Sequence, residues 1–381
     1  MLLQMTEDPL YLYLHSPSRG GVYPGGPDRG KTIGFCCYRW SPDILGQSER
    51  IDPVRRMGIG LLGVGAYLPR KVLTNRDWEA HCGVSGEWLA MRTGILERRI
   101  ASPGETTVDL AAKAAEAALA EGGLSREEIT ELIVATDTPE VFVPDTAAFL
   151  QDRLGLGEIP AYDLAGSGCN GFIQGLTIAI SRVRDEGGEI LVIGVELITR
   201  LIDWGDQRIA PLFGDGAGAV IVGESARLEV MATYNATDGS KAEALGKEVG
   251  GTRVPITPER VARGEHKHVA LQGEQVFRNA IKRMVEAGRV LLGRVRLDPQ
   301  DVALLIPGQA NIHIIKAVAA QLGIPLERAA VNLDRYGDTG SAAFPIALDE
   351  ALRSGRIKPG DHILLVAFGA GFHWGGALIR Y

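Results

Sequence analysis

The residues with the clearest chemical potential lie in the run Tyr162-Asp163-Leu164-Ala165-Gly166-Ser167-Gly168-Cys169-Asn170-Gly171-Phe172. A strand is expected to end near Ala165, a turn of small residues follows, and Phe172 begins an apolar helix that runs to Val183. Small residues on both sides of Cys169 permit a sharp turn that exposes its sulfur, the geometry of a nucleophile elbow. A thiol at a helix N-terminus has its thiolate favoured by the helix dipole and by free backbone N–H groups. The competing reading is a buried, inert cysteine among small residues, the commonest state of a lone Cys. The segment alone leaves both open. Ser167 precedes the apex of the turn and has no evident base.

Two glycine-rich segments could complete such a site. Phe213-Gly214-Asp215-Gly216-Ala217-Gly218-Ala219 matches the degenerate dinucleotide pattern, with Ala in the last position. That fingerprint must open a helix, whereas here a strand is expected to follow directly, so a tight structural turn is the better reading. Phe368-Gly369-Ala370-Gly371-Phe372-His373-Trp374-Gly375-Gly376 lies just after a strand. Its backbone N–H groups, that of Ala370 in particular, could join the N–H of Cys169 in an oxyanion hole. Close backbone packing between two halves of the chain is the alternative. His266 and His268 flank Lys267 in a polar stretch, and His313 lies on a helix after Pro307. His373 alone adjoins a candidate site loop; packing is the default for each histidine, but His373 is worth substituting.

These residues need a scaffold, and the pattern from Met57 onward supplies one. Val108 to Leu119 has helical spacing, and Ser125 caps a short helix with Glu128 at the capping-box position. The apolar runs Leu132–Thr136, Ile190–Ile193 and Ala219–Val222 read as strands buried on both faces. Alternation of strands and helices indicates an α/β fold. The second half repeats the first: Asp298–Val302 and Leu304–Pro307 reproduce the capped turn and strand after a long helix from Glu274 to Leu292, and His362–Val366 answers the Ile190 strand. An internal duplication is suggested, with halves at 57–225 and 226–381 and an active site at their junction. Residues 1–56 hold Gly-Gly, Pro-Gly-Gly and Ser-Pro-Ser clusters and no sustained period. They read as a disordered leader or a misplaced start, and Cys36 and Cys37 are discounted with them.

At 381 residues the chain has room for two packed domains or two fused halves. A net charge of −7 argues against a nucleic-acid surface, which needs clustered Lys and Arg. The four cysteines, Cys36, Cys37, Cys82 and Cys169, make neither a disulfide framework nor a zinc site. No metal is expected. No apolar run approaches the roughly 20 residues of a membrane span, and the leader lacks the form of a signal peptide. A cytoplasmic protein with reduced thiols is the default.

Taken together the segments resemble the β-ketoacyl-acyl-carrier-protein synthase III family of the thiolase fold. The resemblance runs from Ile59 to Tyr381. It includes Glu87-Trp88-Leu89-Ala90-Met91-Arg92-Thr93-Gly94-Ile95, Pro144-Asp145-Thr146, the Gly168–Phe172 elbow and Phe213–Ala219. Gly273-Glu274-Gln275-Val276-Phe277, Pro307-Gly308-Gln309-Ala310-Asn311, Tyr336-Gly337-Asp338-Thr339 and the closing glycine-rich strand continue it. The resemblance implies that Cys169 takes an acyl group from acyl-CoA as a thioester and passes it to malonyl-acyl carrier protein. No cofactor would be permanently bound, and the enzyme would be a homodimer. Trp88 would stack on adenine, Arg92 and Arg208 would lie near the nucleotide phosphates, and Gly273, Phe277 and Asn311 would line the pantetheine channel. Phe142-Val143-Pro144 is expected near the floor of the acyl tunnel.

Two positions depart from the family pattern. The family's His belongs immediately after Pro307, where this chain has Gly308, and its Asn belongs after Gly337, where this chain has Asp338. Both normally stabilise an enolate by hydrogen bonds. Glycine offers no donor, and a charged carboxylate would repel the enolate. Losing one such donor costs about 2.7–4 kcal/mol in a comparable transition state. Asp338 could serve protonated, or as a general base toward a hydroxyl or amine. These departures argue against condensation, and the family resemblance as a whole alone keeps a condensing enzyme as the first reading. The alternatives are a non-decarboxylating acyltransferase to a small-molecule O, N or S acceptor, and a catalytically weak homologue that binds acyl-CoA or acyl carrier protein.

Overall fold

Apolar runs without alternation become strands whose successive side chains feed two different cores. In the computed structural model, which describes residues 58–381 apart from Ala226, the strand Glu189–Glu196 sends Ile190 and Val192 into one cluster and Leu191, Ile193 and Val195 into another. Successive strand residues point to opposite faces, so such a run needs partners on both. The expectations for residues 1–56, with Cys36 and Cys37, lie outside the described residues.

The described residues hold thirteen strands. They are β1 (Ile59–Tyr67), β2 (Lys71–Thr74), β3 (Glu97–Ile100), β4 (Ile129–Ala135), β5 (Ala161–Leu164), β6 (Glu189–Glu196) and β7 (Gly216–Glu224). There follow β8 (Glu229–Thr237), β9 (Leu245–Gly246), β10 (Ala270–Leu271), β11 (Val302–Pro307), β12 (His362–Gly369) and β13 (His373–Arg380). Nine form one sheet in the order β11-β12-β13-β8-β1-β7-β6-β4-β5, while β2 pairs with β3 and β9 with β10. Residues before 225 supply one flank of the large sheet and residues after 228 the other. The flanks meet through a single residue pair of β1 and β8, Gly60 with Glu229. Outward from that seam, both flanks run antiparallel, antiparallel, then parallel. Even the parallel outer strand β5 has a counterpart in the isolated parallel bridge of Leu305 with Ala329.

Helices fill the space on either side. Thr107–Gly122 and Thr146–Leu154 cover one face of the first flank, and Gly273–Val295 and Ile312–Leu322 one face of the second. Between the flanks lie Gly171–Glu186 and Ala343–Arg353, whose Phe172, Leu176, Phe344 and Leu348 share one cluster with β1, β6, β7, β11, β12 and β13. The capped turns expected at Ser125 and Asp298 are both present: Ser125 N donates to Glu128 Oε2 at 2.7 Å, and Asp298 N to Asp301 Oδ2 at 2.8 Å. Among the described residues no helix is long and apolar enough to cross a membrane.

Phe142 and Val143 were expected near the floor of an acyl tunnel. Each is instead 83% exposed, on a loop that leaves the sheet after β4. Phe344, fully buried between the flanks, should cost about 3–5 kcal/mol when truncated to Ala. Phe142→Ala should cost no more than about 0.5 kcal/mol in the unassociated chain. Urea unfolding followed by circular dichroism distinguishes them.

Candidate active site

Strand β5 ends at Leu164, one residue before the sequence reading placed it, and the chain reaches Cys169 through two left-handed glycines, Gly166 (φ 78°) and Gly168 (φ 52°). Cys169 itself has ordinary backbone geometry; the strain of the turn is carried by residues without a Cβ. Gly168–Asn170 makes one tight turn, and helix Gly171–Glu186 starts at once. The turn is braced from outside. Asp137 Oδ1 accepts Gly166 N–H at 2.7 Å, and Asn170 Nδ2 donates to Asn235 Oδ1 at 3.0 Å. Ser167 Oγ donates to Gln174 Oε1 at 2.6 Å, which occupies it away from any nucleophilic role.

The loop after β12 lies directly against this turn. A Cβ on Gly369 would stand 2.5 Å from Ser167 O and 2.8 Å from Cys169 N, and one on Gly168 would stand 2.8 Å from Ala370 N. Two backbones in that proximity admit no side chain between them. The backbone of Gly168–Cys169 therefore lies directly against that of Gly369–Ala370. Of the two sequence alternatives for Phe368–Gly376, close backbone packing is present.

Asp338 faces the thiol from the other half. Its Oδ1 lies 3.7 Å from Cys169 Sγ and accepts Gly340 N–H at 2.9 Å, and the residue is 6% exposed. Burial pushes its carboxyl up to about 6, against the pull of the Gly340 N–H. Behind the turn sits Glu196, which sequence reading missed. It is buried at the end of β6 and accepts hydrogen bonds from Ser341 Oγ (2.9 Å), Thr138 Oγ1 (2.9 Å) and Asp137 N (3.1 Å). Burial, followed by the nearby Asp137, raises its carboxyl well above the ordinary range. A charged residue ending an otherwise apolar run was the available signal, since a buried polar group is the informative exception.

One expectation is corrected. The helix N-terminus was expected to favour the Cys169 thiolate, yet desolvation and the carboxylates of Asp338, Glu196 and Asp137 push the thiol well above its ordinary value. Three carboxyl groups and withdrawal from water outweigh a half-charge of helix dipole. Cys169 rests as a thiol.

Gly308 follows β11 and is buried, with its N–H donating to Val366 O at 3.0 Å. A Cβ there would meet only Met284 Sδ, at 3.5 Å, so the position has room for a larger side chain. His313 points away, its Nε2 lying 3.0 Å from Met91 O. His373 sits across from Gly369 in the β12–β13 pairing, with Nδ1 2.8 Å from Thr237 Oγ1. Burial raises the Asp137 carboxyl above its ordinary value, against the Gly166 and Gly168 N–H groups and the nearby His373.

The remaining named residues lie further out. Trp88 is 48% exposed, and the Arg92 guanidinium lies 5.7 Å from its ring centroid, a flat aromatic-cation pair open to solvent. Arg208 is held by Asp206, Nη2 to Oδ2 at 3.0 Å. Gly273 and Phe277 share an exposed face at the start of helix Gly273–Val295. Asn311 caps helix Ile312–Leu322 through His313 N (2.8 Å), and its Nδ2 donates to Arg92 O at 3.1 Å.

Known proteins resemble the chain over most of its length. Residues 162–239 match the family model for 3-oxoacyl-[acyl-carrier-protein] synthase III, and residues 292–381 match the model for its C-terminal part. The β-ketoacyl-[acyl-carrier-protein] synthase III of Caldanaerobacter subterraneus is 43% identical over 86% of this chain and 98% of its own length. The chain belongs to the 3-oxoacyl-[acyl-carrier-protein] synthase III family. The Xanthomonas campestris enzyme of the same name is 41% identical over 86% of this chain and 99% of its own. The crystal structure of the 3-oxoacyl-[acyl-carrier-protein] synthase III from Aquifex aeolicus superposes with a TM-score of 0.78 at 40% identity, covering 85% of this chain and all of that one. The fold is thus the thiolase-like α/β fold of the synthase III enzymes, and the protein is a transferase of the β-ketoacyl synthase III type, of fatty-acid biosynthesis.

Two outcomes follow from this geometry. Gly369→Ala should reduce acylation of Cys169 by at least about 100-fold, as for loss of an oxyanion donor, read by mass spectrometry of the intact protein. Asp338 has a folded carboxyl at about 6 against an ordinary 3.8, so its neutral form is the one the fold favours. Its stabilising contribution is complete below the ordinary value and is lost as pH rises through about 6. Asp338→Asn should therefore gain stability over the parent by up to roughly 3 kcal/mol between pH 4 and pH 7, measured by urea unfolding across that range.

Proposed function

We propose that the chain loads an acyl group from acyl-CoA onto Cys169 and condenses it with malonyl-acyl carrier protein. Two observations support this reading: the backbone contact of Gly168–Cys169 with Gly369–Ala370, which would bring the Cys169 and Ala370 N–H groups together, and Asp338 Oδ1 at 3.7 Å from Cys169 Sγ. In loading, Asp338 takes the thiol proton, the sulfur attacks the thioester carbonyl, and the new oxyanion is held by the two N–H groups. The C–S bond to CoA then breaks and the departing thiolate takes the proton. In condensation the malonyl group loses carbon dioxide, and its carbanion displaces Cys169 from the acyl carbon. Asp338, reprotonated from solvent after loading, donates a hydrogen bond to the developing enolate, and its proton passes to the released Cys169 thiolate to restore the thiol.

A specific observation supports the second reading, transfer to an O, N or S acceptor without decarboxylation. Gly308 offers no donor, and a carboxyl titrating at about 6 is mostly ionised at neutral pH, fit to act as a base. Trp88 with Arg92 is the supported docking point for the CoA nucleotide, and Arg208 joins it if CoA phosphate displaces Asp206. Gly273, Phe277 and Asn311 are the pantetheine-side candidates. His373 is the candidate second proton carrier. The exposed apolar run Val141–Val143 supports a homodimer, because such patches mark association surfaces. We also read 57–225 and 226–381 as duplicated halves, and the cytoplasm as the site of action.

The two transfers have opposite pH signatures. Condensation through protonated Asp338 should slow as pH rises through about 6, whereas base-catalysed transfer should quicken over the same interval. Acyl-Cys169 is formed from a panel of acyl-CoAs, with Cys169→Ser as the blank, and its discharge is followed by mass spectrometry with carbon dioxide release. No acylation across the panel would sink both readings. Replacing Gly308→His together with Asp338→Asn should raise condensation by at least about 100-fold; an unchanged rate would reject the role assigned to these positions.

A further inference from the structure

Arg98 is 1% exposed on β3, and its three acceptors are all neutral. Nη1 donates to Asn75 Oδ1 at 2.8 Å and to Leu73 O at 3.3 Å, and Nη2 to Pro211 O at 2.6 Å. Burying a charge without a carboxylate partner is costly, and filling the same space would need only an apolar side chain. The placement of the fork explains its presence. Pro211 opens the stretch that clamps the Asp338 backbone: Asp338 N donates to Leu212 O at 2.8 Å, Gly214 N donates to Asp338 O at 3.0 Å, and Phe213 pairs with Asp338 as an isolated bridge. A Cβ on Gly214 or on Gly337 would each lie 3.3 Å from Arg98 Cβ. The arginine thus underlies both strands of the clamp. Its other prong is fixed, because Asn75 Nδ2 donates to Ile95 O at 2.7 Å and to Gly86 O at 3.1 Å. Gly86 begins the helix Gly86–Thr93 that carries Trp88 and Arg92.

We infer that Arg98 is a positioning residue: through Pro211 it sets where the Asp338 carboxylate stands opposite Cys169, and through Asn75 it ties that position to the helix bearing Trp88 and Arg92. The inference rests on the role proposed for Asp338. The groups facing that carboxylate are the Cys169 thiol, the Gly340 N–H and, beyond Gly340, Glu196, whose Cγ would lie 2.8 Å from a Cβ on Gly340. Arg98 is not in contact with the carboxylate; it acts on its backbone. A planar fork can hold two points at once, which a single ammonium cannot.

The test uses the full chain with Arg98→Met, Arg98→Lys and, in parallel, Asp338→Asn. The Asp338 signal is assigned in carboxyl-labelled NMR spectra by its loss in Asp338→Asn. Arg98→Met, folded by circular dichroism, should move the Asp338 midpoint from about 6 toward the ordinary value near 4. It should also slow discharge of acetyl-Cys169, loaded from acetyl-CoA, into malonyl-acyl carrier protein by roughly 10- to 100-fold. Arg98→Lys keeps one grip and should fall between Met and the parent in both readouts; it carries the test if the Met variant does not fold. A folded variant with the parental midpoint and discharge within about twofold of the parent overturns the inference. If Asp338→Asn itself discharges like the parent, the role of Asp338 fails, and the midpoint alone then decides for or against Arg98.

Discussion

The site depends on one close approach. Gly168–Cys169, after β5, and Gly369–Ala370, at the end of β12, pack backbone to backbone with no space for a side chain on either glycine. Hydrophobic burial brings the halves together, since Phe172 and Phe344 belong to one shared cluster. Burial is non-directional, however, and does not fix register to within an ångström. The backbone contact does. It holds the backbone of Ala370 against that of Cys169, and Asp338, Glu196 and Asp137 are arranged around the thiol.

Around it the chain has gathered acids. Asp137, Glu196 and Asp338 all act on Cys169, and each disfavours its ionised form. A nucleophile so placed is quiet until a proton acceptor and an electrophile are present together. Asp338 has both the proximity and a carboxyl raised to about 6, so the group that suppresses the thiolate is also the one able to receive its proton. Glu196 is more structural: its oxygens join the end of β6 to Asp137, Thr138 and Ser341, segments that flank the turn.

Much of this was legible in order along the chain. The apolar runs gave buried strands and small residues around Cys169 gave the turn, while Trp88 and Arg92 were brought together only by the family resemblance, and their ring and guanidinium prove to be neighbours. The state of the thiol was not legible, because the carboxylates that raise it lie at positions 137, 196 and 338 and converge only after folding. Asn311 is instructive for another reason. An Asn before an apolar helix is an ordinary N-cap, and in the structure its side chain performs that task while holding Arg92 O. The exposure of Phe142 and Val143 was not legible, because an apolar sequence does not say whether its cover comes from the same chain.

The thin seam between β1 and β8 has a consequence for how disturbance spreads. A sheet ordinarily transmits a shift sideways through its ladder of hydrogen bonds, strand by strand. Here that ladder narrows to one rung, Gly60 with Glu229, so the two flanks are nearly independent as elastic bodies. A strain introduced at the outer edge of one flank, at β5 or β11, would reach the other through the two middle helices, the glycine contact beside Cys169 and the Leu212–Gly214 clamp on Asp338. The place where chemistry occurs is then also the place where the two halves register each other's condition.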